Sequence, residues 1–134
     1  MKVIVDTSVW SMALRRDTEG SPEPVQELSQ LIHSHRVQMI CPIRQEILSG
    51  IRIESQFKKL RKHLESFPDL PIITEDYVTA AQFFNHCRSK GIQGSNTDFL
   101  ICAVAVRNKF SIYTTDKDFD LFSKNIQIDL HKAG

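Results

Sequence analysis

Four carboxylates sit at points where the chain changes character. Asp6 ends the apolar run "KVIV" at residues 2–5 and is followed at once by two hydroxyls, Thr7 and Ser8. Glu46 lies in "RQEILSG" at residues 44–50. Asp98 opens the apolar stretch 97–108 just after the loop "KGIQGSN" at 90–96, and Asp116 ends "FSIYTTD" at 110–116. Several carboxylates focused on one point repel one another and cannot all remain ionised cheaply without a cation. With oxygen donors only and no suitable His or Cys cluster, that cation is expected to be Mg²⁺ or Mn²⁺ rather than Zn²⁺. A carboxylate-held ion of this kind suits the hydrolysis of a nucleic acid, since it can bind a phosphodiester oxygen, activate a water and stabilise the leaving oxygen.

These acids are remote in sequence, so the elements that carry them must bring them together. Residues 2–5 read as a strand covered on both faces, followed by a short helix at 9–14. Residues 15–24 read as a loop, with Ser21 as N-cap and Pro22 opening a helix to about residue 34. A second strand is expected at 37–41, then a helix that starts at Pro42 and closes at Gly50. Residues 54–67 read as an amphipathic helix, with Phe57, Leu60, Leu64 and Phe67 on one stripe and Lys58, Lys59, Arg61 and Lys62 between them. Strand 70–73, a helix capped by Thr74 and running to about 89, and a helix at 97–108 that is apolar nearly all round come next. Strand 110–116, a short helix at 119–122 and a last strand at 126–129 complete the pattern.

Strands alternating with helices predict an α/β fold with a mostly parallel central sheet and helices on both faces. In such a sheet the carboxyl ends of the strands and the amino ends of the following helices share one edge, where ligands bind. Topology alone therefore carries Asp6, Glu46, Asp98 and Asp116 toward that edge. Each acid also has a plain alternative: Asp6 as a turn residue or cap, Asp98 and Asp116 as helix-terminus residues, Glu46 as a solvent-facing glutamate.

At 134 residues the chain has the length of one domain, here taken as 1–134. Its 25% charged and 41% hydrophobic residues are those of a folding globular protein, and a net charge of +1 leaves any polyanion to a local patch. No stretch approaches the ~20 apolar residues that cross a bilayer, and no leader pattern opens the chain, so a cytoplasmic protein is expected. Cys41, Cys87 and Cys102 sit in apolar segments and are expected to be buried small hydrophobes, not a disulfide framework. Packing or surface roles are expected for the five histidines.

Taken together, "VIVDTSVW", "RQEILSG", "NTDFLICAVA" and "YTTDKDF" resemble, in order, the motifs of PIN-domain ribonucleases, most closely the VapC-like toxins of toxin–antitoxin pairs. The resemblance implies a three-layer α/β/α fold. It also implies a metal-dependent endoribonuclease that holds one or two Mg²⁺ or Mn²⁺ ions, with Asp6 and Asp98 as main ligands and Glu46 and Asp116 completing the pocket directly or through water. Thr7, Ser8 and Thr114 match hydroxyl positions that orient carboxylates or water, and Asp118 matches a commonly acidic position second to Asp116. The substrate implied is cellular RNA such as tRNA, with Arg15, Arg16, Arg44 and Arg52 available to its phosphates. A homodimer is implied too, and a VapB-like antitoxin laid across the helices between Pro22 and Phe67. A receiver-type phosphoacceptor would need paired acids after the first strand, and a haloacid-dehalogenase-type phosphatase D-x-D, where this chain has Ser8. A non-catalytic PIN-like binding module and a general RNA-processing nuclease stand as the other readings.

Overall fold

The computed structural model describes residues 1–14 and 21–134. Val3, Ile4 and Val5 make strand β1 (Val3–Val5), and all three are 0% exposed, as continuous β-branched residues covered on both faces must be. Helix α1 (Thr7–Ala13) follows directly. Helix α2 (Glu23–His33) leads to β2 (Val37–Gln38), and α3 (Cys41–Leu48), α4 (Glu54–Leu64), α5 (Thr74–Ser89) and α6 (Asn96–Asn108) precede β3 (Ser111–Tyr113) and α7 (Asp118–Ser123).

All strand pairing is parallel, in the order β2-β1-β3, with Val3 opposite Val37 and Ser111, and Val5 opposite Tyr113. The chain leaves β1 for one side and returns on the other, so the carboxyl end of β1 is the point where strand order reverses. Open α/β sheets form their ligand crevice at such a point. The helices flank the sheet: α1 packs on α2 and α3, and α5 packs on α6. Seven consecutive residues of α6, Phe99 to Ala105, are buried, which makes it the central helix its all-round apolar pattern predicts.

Two expected strands are not formed. Residues 70–73 contain Pro71, which has no N–H for a ladder, and only a parallel bridge between Met39 and Asp69 remains at that edge. In 126–129 the Ile128 amide bonds back to the Ile126 carbonyl at 2.9 Å, which turns the backbone; contact with the sheet reduces to a bridge between Ile112 and Leu130. β2 stops at Gln38 because Cys41 and Pro42 already belong to α3, where proline suits the first turn. Two caps also differ: Pro22, not Ser21, precedes α2, and Ile73, not Thr74, precedes α5. Cys87 and Cys102 are buried as expected, whereas Cys41 is exposed at the start of α3.

Asp76 fixes α5 to α6. It is 1% exposed, it accepts from the Ile73 amide, and Arg107 grips it with Nε to Oδ1 at 2.7 Å and Nη2 to Oδ2 at 2.9 Å. Burial pushes the Asp76 carboxyl up, but the Arg107 hydrogen bonds, the Ile73 amide and the Arg107 charge together bring it below its ordinary value of 3.8. A carboxyl lowered in the folded state contributes stability that is complete above the unfolded pKa and lost as pH falls through the native one. Arg107→Ala should therefore cost about 2–3 kcal/mol at pH 7, below the ~3–5 kcal/mol of a fully buried pair because Arg107 is partly solvated. Urea unfolding should show that deficit narrowing as pH falls below 4.

Candidate active site

Asp6 occupies the N-cap position of α1, yet its carboxylate makes no capping bond. Its amide donates to the Tyr113 carbonyl at 2.8 Å, one step beyond the β1–β3 register, and this brings Thr114 alongside. Asp6 Oδ2 then accepts from Ser8 Oγ at 2.8 Å and from Thr114 Oγ1 at 2.9 Å. The two hydroxyls are also 3.2 Å apart, but each has one proton and the carboxylate is the shorter contact for both. Each hydroxyl in turn accepts a backbone amide: Thr115 donates to Ser8 and Asp116 to Thr114.

The other acids are held in a similar manner. Glu46, exposed on α3, accepts from Thr7 Oγ1 through Oε1 at 2.8 Å, so the residue after Asp6 reaches across to it. Asp98 Oδ2 accepts from the Ser95 amide while Ser95 Oγ accepts from the Asp98 amide, a reciprocal capping box at the start of α6. Asp116 Oδ1 accepts from the Asp118 amide at 2.9 Å; Asp118 takes part through its backbone, with its side chain exposed. Among the described residues, each of the four acids thus has one carboxylate oxygen engaged by the protein and a second left over. None of the four is in an ion pair with Lys, Arg or His among those residues.

The acids sense one another. Burial pushes the Asp98 carboxyl up; its bonds to Ser95 oppose this, and the negative charges of Asp6 and Asp116 push it further up. Cys102, one helical turn beyond Asp98, is raised by burial and then by Asp98, Cys87 and Asp6. Even so, among the described residues no three His, Cys, Asp or Glu side chains are grouped tightly enough to grip an ion unaided.

Arg44 is not available for phosphate. Its guanidinium donates to Asp69 and to the Leu64 and Phe67 carbonyls, which ties α3 to the end of α4 and the turn after it. Arg52 is exposed, and Arg15 and Arg16 lie outside the described residues. Ser95 was missed by sequence reasoning, although Ser-x-x-Asp before an apolar run is the signature of the cap it forms.

Residues 3–125 match the PIN domain family. Over 126 residues the chain is 31% identical to Ribonuclease VapC11 of Mycobacterium tuberculosis, covering 91% of this chain and 92% of that protein. Its fold matches that of FitAcB from Neisseria gonorrhoeae with a TM-score of 0.77 at 19% identity, over 98% of this chain and 97% of the other. VapBC2 from Rickettsia felis, bound to a DNA fragment from its promoter, matches with a TM-score of 0.74 at 15% identity over 98% of both chains. At these identities the two structures speak for the fold.

A carboxyl raised in the folded state opposes folding when ionised, fully so above its native pKa and not at all below the unfolded one. Asp98→Asn keeps an oxygen for the Ser95 amide and removes that opposition. In buffer with EDTA at pH 7.5 the variant should melt at or above the wild-type temperature, with the difference vanishing toward pH 3.5. A large drop in melting temperature would mean that the acid is structural.

Proposed function

Since this chain belongs to the PIN-domain family, among its VapC ribonucleases, we propose that it is an endoribonuclease hydrolysing RNA phosphodiester bonds at the edge carrying Asp6, Glu46, Asp98 and Asp116. One observation carries this reading: four acids, each held by one oxygen and each without a cationic partner among the described residues. Acids serving only as caps have no need of a shared edge.

The donor set is all oxygen and fits Mg²⁺ or Mn²⁺, with Asp6 and Asp98 holding the ion and Glu46 and Asp116 completing its surroundings directly or through water. When bound, the ion supplies Lewis-acid stabilisation of the phosphate and a water of lowered pKa. The protein's part is orientation. Ser8 and Thr114 fix Asp6 through Oδ2, so that Oδ1 serves without reordering the side chain; Thr7 does the same for Glu46, the Ser95 amide for Asp98 and the Asp118 amide for Asp116.

The biological role that fits is the toxin of a VapBC-type pair, a cytoplasmic protein acting on tRNA or other cellular RNA. Its partners would be a second copy in a homodimer and a VapB-like antitoxin in a hetero-oligomer. A groove of about 460 Å³ lined by Leu14, Gln56, Lys59, Leu60, Lys62 and His63 supports a helix-in-groove contact on the α4 side. On α4 itself only Leu64 is buried; Phe57 and Leu60 are half-buried and still have surface to offer. No helix of the described residues is long and apolar enough to cross a membrane.

Purified protein incubated with RNA and Mn²⁺ should cleave it, and EDTA should abolish cleavage. Asp6→Asn and Asp98→Asn should each lose at least ~100-fold, while Ser8→Ala and Thr114→Val should lose roughly 10- to 100-fold as supports of a ligand. Mn²⁺ should raise the melting temperature of the wild type and not of Asp98→Asn. Wild-type cleavage by Asp98→Asn would refute the assignment, and the absence of both cleavage and a Mn²⁺ shift would favour a non-catalytic module. Sequenced RNA ends after induced expression distinguish a toxin's narrow target set from general processing.

A further inference from the structure

The loop that leads into α6 closes a small cavity that the acids leave unused. Gly94 lies immediately before the Ser95–Asp98 cap, and it presses so closely on α6 and α7 that a Cβ there would meet Phe122 at 2.6 Å and Phe99 at 2.9 Å. Only glycine allows the loop to rest on this aromatic floor, in which Phe84 meets Phe99 edge-on with centroids 5.7 Å apart and Phe99 meets Phe122 at 4.7 Å. Beside that contact lies a cavity of about 120 Å³ lined by Phe84, Arg88, Ile92, Gln93, Gly94 and Phe99.

Its size and lining narrow the occupant. The volume is several times the ~30 Å³ share of a water molecule and well below the ~300 Å³ at which sites for drug-sized ligands begin, so one flat ring system fits and a whole nucleotide does not. Arg88 lies over the Phe84 ring with its guanidinium carbon 5.7 Å from the centroid, and Arg88 and Gln93 are both exposed. Aromatic and guanidinium planes stack on unpaired bases, and an amide side chain can pair with a base edge. Phe99 is buried and Phe84 half-buried beneath Arg88, so the groups left to an occupant are the guanidinium plane of Arg88 and the amide of Gln93, a pair that suits a base. Gly94 and Phe99 flank Ser95 and Asp98 in the chain, so the turn that caps α6 links two residues of the cavity lining to one of the four acids.

We propose that this cavity is a nucleobase subsite, taking one unpaired base of the RNA beside the bond being cut, with Arg88 as stacking plane and Gln93 reading the base edge. The inference rests on the acidic edge being an RNA-cleaving site, and two measurements separate the two ideas. In the first, adenosine, guanosine, cytidine and uridine are titrated into the full wild-type chain while the amide resonances of residues 92–94 are followed by NMR. At least one nucleoside should shift them, and Gln93→Ala should weaken the shift. In the second, short RNAs differing only at positions flanking the cut are cleaved by wild type, Arg88→Ala, Arg88→Lys and Gln93→Ala. The Ala variants should raise KM by roughly 5- to 100-fold on the preferred sequence, the worth of one stacked base, and lose preference at one flanking position. Arg88→Lys should not rescue, because it restores the charge without the plane.

Absence of any nucleoside shift, together with unchanged KM and base preference in the variants, overturns the subsite and leaves RNA cleavage standing. A uniform KM rise across all sequences that Arg88→Lys rescues also overturns it, since Arg88 would then be contacting phosphate. No cleavage by wild type, with nucleoside shifts intact, instead fails the nuclease reading alone and supports the base pocket.

Discussion

The arrangement of the site depends on the register between β1 and β3. Val5 lies opposite Tyr113, and the Asp6 amide extends the ladder by one bond to the Tyr113 carbonyl. Because side chains follow backbone register, this single alignment sets Asp6 against Thr114, across more than a hundred residues of chain, and lets Ser8 close the clasp from the first turn of α1. A slip of one residue would turn every side chain of β1 to the opposite face and dissolve the contact. The strand is completely buried, and that burial is what makes such a slip costly.

Around that clasp the protein tolerates negative charge that it neutralises elsewhere. Asp76 is buried and carries a bidentate arginine, as a buried carboxylate requires. Asp98 is half-buried, has two acidic neighbours and receives only a backbone amide and its reciprocal cap. The contrast within one helix is informative. At its C-terminal end α6 supplies the arginine that satisfies Asp76, and at its N-terminal end it holds an acid whose environment disfavours ionisation. Burial of an acid without a cationic partner, with like charges beside it, is common at functional sites.

The plain roles of these acids and the proposed one are compatible, because a carboxylate has two oxygens. Asp98 does cap α6, and Asp116 does receive an amide at the start of α7, yet each has an oxygen to spare. Under that proposal, local capping would serve the site by holding each side chain in one orientation. The same economy appears in the loop at 90–95, where close packing of Gly94 on Phe99 and Phe122 seats the turn that carries Ser95.

The sequence by itself determined the parallel α/β class, the order of the seven helices and three paired strands among the described residues, and the buried central helix, and it nominated the four acids. All of these follow from local quantities: apolar periodicity, turn residues, and the polar tips of apolar runs. It misplaced the edge strands at 70–73 and 126–129, because pairing at a sheet edge depends on which amides remain available after local turns form. It offered Arg44 to phosphate, whereas folding commits that side chain to the end of α4, and it read Cys41 as buried. Only the tertiary structure decided which oxygen of each acid is taken, that Thr114 and Ser8 share one carboxylate oxygen, and that a glycine loop meets an aromatic floor. Those are contacts between residues far apart in the chain, and no local pattern encodes a distance that exists only once the backbone has closed on itself.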